Sequence, residues 1–409
     1  MNTLVIYYTK TPLNTVRETI KDSICCFREY LPGDVSLVNF ISGCPNLLKK
    51  ISFDLIIIHY SFLAIKYSSP EILINFSKDI KKLKGYKIVL PQDEYINSKF
   101  LNEFIKKSKI DHIFSLFHDK KDLNKVYPEK ETGVTNINTV LPGYVNNKHL
   151  KSNEEFKPFE ERKIDIGYRA RKNPFWLGTF SLRKWQIAEF FQKGEFKKMK
   201  IDISTKEKDV FIGKQWGIFI DNCKYFLGVE GGASLLDIEG KIRKKVDDYT
   251  FLNPQASFNE VSALFFEKFD NEISYSQLTP RIFEAVLRKS CLILMEGYYN
   301  GILIADVHYI PVKSDYSNIK EVLKKIKNVK STKRLIENSY FDLVLSNKYS
   351  YESFVDLIIK HSNVQVQNKK SSRFTQLLSK IYIQLISFKN HSFTILYMVY
   401  YKIKLINER

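Results

Sequence analysis

The sequence contains little cysteine, and its cysteines form neither a metal-binding nor a disulfide pattern. Five are present without the spacing of a zinc site: Cys25, Cys26, Cys44, Cys223 and Cys291. An odd count with two adjacent members argues against the disulfide framework of a small secreted protein. We therefore expect the chain to remain in a reducing cytoplasm.

Long apolar runs are also missing, and the first residues do not have the pattern of a signal peptide. The strand-like run 4–8 follows the first residues directly, without a basic leader or a cleavage site, so we expect no signal peptide. The apolar run 395–401 is much shorter than the roughly 20 residues that span a bilayer. The sequence therefore predicts no transmembrane helix.

The usual motifs for nucleic acids and metals are absent as well. No zinc finger, helix-turn-helix signature or aromatic–basic RNA-binding motif occurs, so nucleic acid is not an expected partner. No Asp-x-Asp pair occurs and the seven histidines are scattered, so neither a metal nor another cofactor is expected. The formal net charge of +19 instead favours phosphate-bearing substrates and an anionic membrane surface.

What is present is an alternation of strand-like and helix-like segments. The 409 residues, 44% hydrophobic and 27% charged, suffice for two globular domains. Strands separated by helices predict βαβ units and a doubly wound sheet in residues 1–155. The strands predicted there are 4–8, 35–40, 53–60, 87–90, 112–115 and 139–143.

A polar segment without periodicity, residues 151–162, predicts an interdomain linker, after which the alternation starts again. Residues 162–335 predict a second Rossmann-like domain, and residues 336–362 a closing helix region. One long helix is expected over 340–359, interrupted near Asn347. The predicted fold class is α/β, with two Rossmann-like domains that face each other across a cleft.

The last segment, residues 363–409, differs in composition from the rest. Apolar residues recur at helical spacing from Phe374 to Phe388, and from Lys369 onward eight basic residues face a single acid, Glu408. A basic amphipathic helix with aromatic residues is typical of in-plane membrane binding. We expect a peripheral membrane-associating tail; the alternative is a helix packed on the body of the protein or on a partner.

Three groups of residues are candidates for ligand binding in the second half. The first is the basic run 167–172 after a strand, with Arg169 and Arg171, followed by Arg183 and Lys184 near the next helix start. Arginine forks and helix N-termini bind phosphate, although a basic surface loop would have the same composition. The second is the glycine-rich segment 228–234, with Glu230, Gly231 and Gly232, whose backbone could approach a ligand; a plain turn is the alternative.

The third group is a predicted helix over 280–289. Pro280 fits its first turn, and Arg281, Glu284 and Arg288 share one face. An acid near the start of such a helix could hold ribose hydroxyls at the carboxyl edge of an open sheet. The alternative is a capped surface helix in which Glu284 pairs with Arg281 or Arg288.

Four segments resemble a bacterial group of GT-B glycosyltransferases that act in surface-polysaccharide synthesis: 165–171, 227–234, 280–285 and 308–311. The resemblance implies that the C-terminal domain binds a nucleotide sugar and the N-terminal domain the acceptor. It implies that Arg169 and Lys184 hold the diphosphate and that Glu284 holds the ribose. The Glu-x7-Glu motif of retaining members is not cleanly present before Glu284, so the choice between inversion and retention stays open.

An inverting enzyme needs a general base from the N-terminal half. Asp93, Glu94 and His59 each follow a predicted strand and are the candidates. The alternatives are an N-capping role for Asp93 and Glu94, and a core position for His59. The expected function is metal-independent transfer of a sugar to a lipid-linked or membrane-bound glycan, such as a lipopolysaccharide or capsule precursor. A non-catalytic nucleotide- or glycan-binding protein and a nucleotide-sugar epimerase are the alternatives.

Overall fold

The computed structural model describes residues 1–151, 156–211 and 213–362, which form two compact units. Among these residues the first comprises Met1–Val140 and 354–362, and the second comprises Leu141–Ser353. The predicted membrane-associating tail, 363–409, lies outside the described residues. In the part of the chain that is described, no helix combines the length and apolarity needed to cross a bilayer.

The first unit is a six-stranded parallel sheet with helices between its strands. Its strands are β1 (Asn2–Tyr7), β2 (Asp34–Asn39), β3 (Ser52–Ile58), β4 (Lys84–Val89), β5 (His112–Ser115) and β6 (Ile137–Thr139). Its helices are α1 (Glu18–Tyr30), α2 (Tyr60–Leu63), α3 (Pro70–Ile80), α4 (Ser98–Ser108), α5 (Lys120–Val126) and α6 (Glu129–Thr132). The last four residues of β3 are completely buried, as expected for an inner strand covered on both faces.

The second unit contains a five-stranded parallel sheet and a separate two-stranded antiparallel one. Its strands are β7 (Ile164–Arg169), β8 (Ile201–Ser204), β9 (Cys223–Gly228), β10 (Gly231–Ala233), β11 (Tyr275–Gln277), β12 (Cys291–Met295) and β13 (Tyr309–Val312). Its helices are α7 (Lys148–Lys151), α8 (Arg183–Phe191), α9 (Lys214–Asp221), α10 (Lys241–Leu252), α11 (Phe258–Phe265), α12 (Pro280–Leu287), α13 (Ile319–Lys327) and α14 (Val329–Tyr340). A π-helical turn, Phe341–Leu345, separates α14 from α15 (Tyr351–His361), which runs into the first unit.

The strand orders confirm two parallel Rossmann-like sheets. They are β2-β1-β3-β4-β5-β6 in the first unit and β13-β12-β9-β7-β8 in the second. The chain reverses its direction of winding between β1 and β3, and again between β7 and β9. In open α/β sheets a ligand binds outside the carboxyl ends of the strands at such a switch point. The second unit therefore presents the ends of β7 and β9 as its most favourable site.

Several predicted boundaries differ from the structure. The strand expected at 139–143 ends at Thr139, and Pro142, which has no N–H for a ladder, follows soon after. The end of the predicted linker is docked on the second unit, because Arg162 is buried and bonds to the Cys223 and Arg288 carbonyls. The interruption near Asn347 is confirmed; this residue has a left-handed φ of 59°.

The predicted glycine-rich loop at 228–234 is wrong in part, since Gly231–Ala233 form β10, paired with β11. Gly232 has a φ of +148°, and a Cβ there would lie 1.7 Å from the Tyr275 carbonyl oxygen. Gly232 is thus needed for the close approach of two strands, a reason for glycine that the sequence did not predict. The β10–β11 pair brings Gly231 against Thr279, directly before α12.

We expect Gly232→Ala to destabilise the protein by about 4 kcal/mol, because it combines backbone strain with a steric clash. Gly194→Ala is the matched control: Gly194 also has a positive φ, +58°, but the space around it is open. Strain alone should cost that variant about 1 kcal/mol. Urea unfolding of both variants checks the prediction, and equal losses would contradict it.

Candidate functional site

Arg169 lies at the end of β7, and its side chain is occupied by contacts within the second unit. It is buried, and its guanidinium lies against the adjacent rings of Phe211 and Phe219, 4.8 and 4.6 Å from their centroids. It donates hydrogen bonds to three backbone carbonyls and one carboxylate: Tyr168 O, Asp202 O, Asp209 O and Asp202 Oδ1. These contacts join β7 to β8. The geometry therefore favours a structural role for Arg169 over the predicted binding of a diphosphate.

The other basic candidates lie closer to solvent. Arg171 is exposed and forms a 2.8 Å ion pair with Glu207. Lys184 lies in the first turn of α8, and its carbonyl accepts a hydrogen bond from the Tyr168 hydroxyl. Arg183, one residue earlier, lies over the Phe180 ring, with Nη1 3.8 Å from a Glu230 carboxylate oxygen. The start of α8 thus directs Arg183 toward the loop that follows β9.

Glu230 organises that loop. Its carboxylate is buried and accepts the Tyr299 N–H at 2.6 Å, and burial raises its pKa above the ordinary value. Gly297 packs against the same carboxylate, because a Cβ at this position would lie 2.4 Å from Glu230 Oε2. Tyr299 and Asn300 both have left-handed φ angles, 44° and 58°. Glu230 therefore shapes the loop after β12. The ligand contact that the sequence predicts for it stays a prediction.

The start of α12 carries the third group. Arg281 Nη1 donates to the Arg169 carbonyl at 2.5 Å and its guanidinium lies 5.4 Å from the Trp216 ring. The Trp216 indole N–H donates to Glu284 Oε2 at 2.7 Å. Arg288 forms a 2.6 Å ion pair with Asp221. Arg281, Trp216 and Glu284 are therefore brought together at the end of β7, beside the switch point.

In the first unit, His59 directly follows β3 and is a core histidine. It is 1% exposed, and desolvation lowers its pKa to about 3. Nδ1 accepts the Ser61 N–H at 3.1 Å and Nε2 lies 3.1 Å from the Ser23 hydroxyl. A base with so low a pKa is a weak proton acceptor at neutral pH. The core alternative for His59 fits this geometry better than the catalytic one.

Glu94 is also buried completely. Its carboxylate accepts hydrogen bonds from Ser115 Oγ, the Leu116 N–H and the Tyr127 hydroxyl, at 2.5, 3.1 and 2.8 Å. Desolvation raises its pKa, and it also lowers that of the buried Lys66. With its oxygens turned inward, Glu94 anchors the chain after β4.

Asp93 is the exposed member of the three predicted bases. It has a left-handed φ of 47°, which is uncommon for residues other than glycine, although aspartate and asparagine adopt it more often than most. Lys66 Nζ holds this conformation by donating to the Asp93 and Gln92 carbonyls at 2.8 and 3.3 Å. The Tyr95 hydroxyl donates to Asp93 Oδ1 at 3.0 Å. Two buried charged residues, Lys66 and Glu94, thus fix the backbone from which Asp93 reaches solvent.

Comparison with solved structures identifies this architecture. T4 phage β-glucosyltransferase in complex with UDP-glucose superposes with a TM-score of 0.53 at 12% identity, over 89% of this chain and all of that one. The chain has the GT-B fold. Anabaena HepE with UDP and glucose matches 88% of this chain and 99% of its own, with a TM-score of 0.47 at 8% identity. S. aureus TarM gives 0.40 at 13% identity over 76% of this chain, which spans only 54% of TarM.

No protein-family model and no curated protein matches the sequence. Within the described residues of the GT-B units, no group of three or more His, Cys, Asp and Glu side chains could hold a metal ion.

The sequence did not reveal the residues that position Glu284 and Asp93. Trp216 binds Glu284 from 68 positions away in the sequence. Lys66 binds the Asp93 backbone from 27 positions away. No local motif marks such pairs. The available signals were a tryptophan in α9, Trp216, and a lysine shortly before the proline that begins α3, Lys66.

The low pKa of His59 predicts an acid-sensitive contribution to stability. Between pH 6.5 and about 3 the unfolded chain binds a proton that the folded His59 does not bind, so the contribution of His59 falls on acidification, while the raised pKa of Glu94 acts in the opposite direction and is common to wild type and variant. The slope from this residue approaches about 1.4 kcal/mol per pH unit. His59→Asn retains an acceptor for the Ser61 N–H and should remove that slope. Urea unfolding between pH 6 and 5 measures it, with His361→Asn as control; parallel curves for wild type and His59→Asn would contradict it.

Proposed function

We propose that this chain is a glycosyltransferase that moves a sugar from a nucleoside-diphosphate donor to a membrane-bound or lipid-linked glycan. The observation that carries the proposal is the group formed by Arg281, Trp216 and Glu284 at the end of β7. An acid, a cation and an aromatic ring converge there at the switch point of a parallel sheet, on a GT-B scaffold. Such an arrangement suits a nucleotide, whose ribose, phosphates and base can each find a partner there.

Glu284 is the proposed partner of the ribose hydroxyls. Trp216 donates to one oxygen of its carboxylate at 2.7 Å and so orients it, and a carboxylate is the kind of acceptor that two neighbouring ribose hydroxyls need. Arg183, Lys184 and Arg281 are the proposed partners of the diphosphate. Their charges and the N-termini of α8 and α12 would stabilise the departing diphosphate without a metal ion.

Asp93 is the proposed general base for an inverting transfer. It combines exposure with a strained backbone conformation that buried neighbours maintain. Strain of this kind persists only where surrounding contacts enforce it, and it is frequent in active sites. The base would take the proton of the acceptor hydroxyl as the new glycosidic bond forms.

The glycan acceptor is proposed from charge. A net charge of +19 and a tail with eight basic residues against one acid suit the anionic inner face of a cell membrane. Lipid-linked intermediates of lipopolysaccharide or capsule synthesis would be presented on that surface. Cytoplasmic location and peripheral attachment belong to the same proposal.

Glu284→Gln should weaken donor binding tenfold to a hundredfold, because it removes a charged acceptor from the ribose hydroxyls. Thermal-shift screening of UDP-, GDP-, CMP- and dTDP-sugars selects the donor, since a ligand that binds the native state raises Tm. Calorimetric titration then measures Kd. Glu321→Gln, an exposed substitution on α13, is the control. An unchanged Kd in Glu284→Gln would exclude the proposed role of this carboxylate.

Asp93→Asn should lower kcat about 10²- to 10⁴-fold and leave the donor Kd unchanged, because only proton acceptance is lost. Asparagine tolerates the left-handed conformation, so the variant should fold. Transfer of a radiolabelled sugar to bacterial membrane extract in EDTA measures the rate, with the exposed Asp356→Asn as control.

Three outcomes of that assay would change the conclusion. Donor binding without turnover for any acceptor would favour a non-catalytic binding protein. Release of an altered free sugar without an acceptor would favour an epimerase. Full activity of Asp93→Asn would place the base elsewhere in the chain.

A further inference from the structure

A cavity of about 580 Å³ lies in the second unit, away from the proposed donor site. It is lined by the chain 156–162, by Lys289 and by residues of α14 and the π-helical turn. Arg162 shortly precedes β7 and Lys289 shortly precedes β12, so the cavity lies at the edge where the strands begin. Arg281 and Glu284 belong to the other edge, where β7 ends.

The walls of the cavity are mainly apolar. Aromatic and aliphatic side chains dominate them: Phe156, Phe159, Ile336, Tyr340, Phe341 and Leu345. Phe341 and Leu345 in the π-helical turn are 64% and 55% exposed. Single π-helical turns occur frequently at functional sites. A volume of this size with an exposed apolar mouth is that of a small-molecule pocket.

The charges around the cavity favour an anion. Among the described residues that line it, four are basic and two are acidic: Lys157, Arg162, Lys289 and Lys333 against Glu160 and Glu337. The Arg162 guanidinium is occupied by backbone carbonyls and Ser290. Lys333 forms a 2.6 Å ion pair with Glu160.

The two remaining lysines contact neutral groups. Lys157 Nζ donates to Asn222 Oδ1 at 3.1 Å, and Lys289 Nζ lies 4.6 Å from the centroid of the Tyr340 ring. A neutral amide and an aromatic ring orient an ammonium group but leave its full charge to attract an anion. The cavity therefore combines an apolar interior with two oriented cations.

We infer that this cavity binds an anionic amphiphile, with a hydrocarbon chain between α14 and the chain 156–162 and a phosphate between Lys157 and Lys289. An apolar chain fits because it would cover the aromatic and aliphatic side chains of the walls and remove them from water. Phosphate matches the lysines, which bind it as point charges. The ligand is a lipid phosphate, taken either from a bilayer or as a monomer from solution. This inference is independent of the proposed sugar transfer.

Dodecyl phosphate, used below its critical micelle concentration, tests the inference by calorimetric titration of the full chain. We expect saturable one-to-one binding that becomes weaker with decyl phosphate, because less apolar surface is buried. The double variant Lys157→Gln/Lys289→Gln should bind at least fivefold more weakly. Leu345→Trp should abolish binding by filling the mouth of the cavity.

Matched controls separate the cavity from general surface effects. Leu264→Trp alters a leucine of nearly equal exposure, 56%, on α11, and Lys244→Gln/Lys245→Gln removes two exposed lysines from α10. Both controls should bind dodecyl phosphate like wild type. Unchanged Tm in each variant excludes unfolding as the cause of a loss. Absence of saturable binding to the wild type, or equal losses in controls and cavity variants, would overturn the inference.

Pelleting with vesicles of phosphatidylglycerol and phosphatidylcholine then distinguishes the two sources. Reduced pelleting of Leu345→Trp relative to Leu264→Trp would identify a bilayer lipid as the ligand. Equal pelleting, together with the loss of dodecyl phosphate binding, would identify a monomeric lipid phosphate. The tail is present in both variants, so its own contribution to pelleting cancels in the comparison.

Discussion

The second unit depends on the buried guanidinium of Arg169. A buried charge is tolerated only when it is paired and hydrogen-bonded, and here the carboxylate of Asp202 and three carbonyls meet that requirement. The same contacts join β7 to β8. The backbone carbonyl of Arg169 then binds Arg281, which connects the start of α12 to the end of β7. The end of β7 that holds Arg169 therefore also helps to position the helix that carries Glu284.

Backbone strain also occurs directly after two of the parallel strands. Asp93 follows β4, and Tyr299 and Asn300 follow β12, all with left-handed φ angles. In each case a buried ionisable residue maintains the strain: Lys66 through the Asp93 carbonyl, and Glu230 through the Tyr299 N–H. Burying these groups opposes folding, since desolvation raises the pKa of Glu230 and lowers that of Lys66. Part of the free energy of folding thus offsets the desolvation of Glu230 and Lys66. In return, these residues fix the loops at the carboxyl edges, where ligands bind open sheets.

Much of the fold could be predicted because its signals are local. The continuous apolar runs of β3 and β12 indicate strands buried on both faces, and the helical periods between strands indicate parallel sheets. β10 could not be predicted, because two glycines in three residues resemble a turn and its partner β11 lies about 40 residues later. The role of Arg169 was equally inaccessible, because Phe211 and Phe219 lie far from it in sequence. A basic residue after a strand looks the same whether it binds phosphate or its own chain.

Because some basic residues bind their own chain, the net charge of +19 overstates the charge that can attract anionic ligands. Arg162 and Arg169 stand just before and at the end of β7, and both guanidinium groups are occupied by backbone carbonyls of the second unit. Their charges hold the sheet together and are hidden from solution. The cations proposed to bind ligands include Arg183 at the carboxyl edge, whose Nη1 lies 3.8 Å from a Glu230 oxygen, and Lys289 at the amino edge, whose Nζ lies over the Tyr340 ring. The polarity of a parallel sheet thus separates the two proposed sites: the nucleotide site lies at the carboxyl edge and the lipid phosphate site at the amino edge.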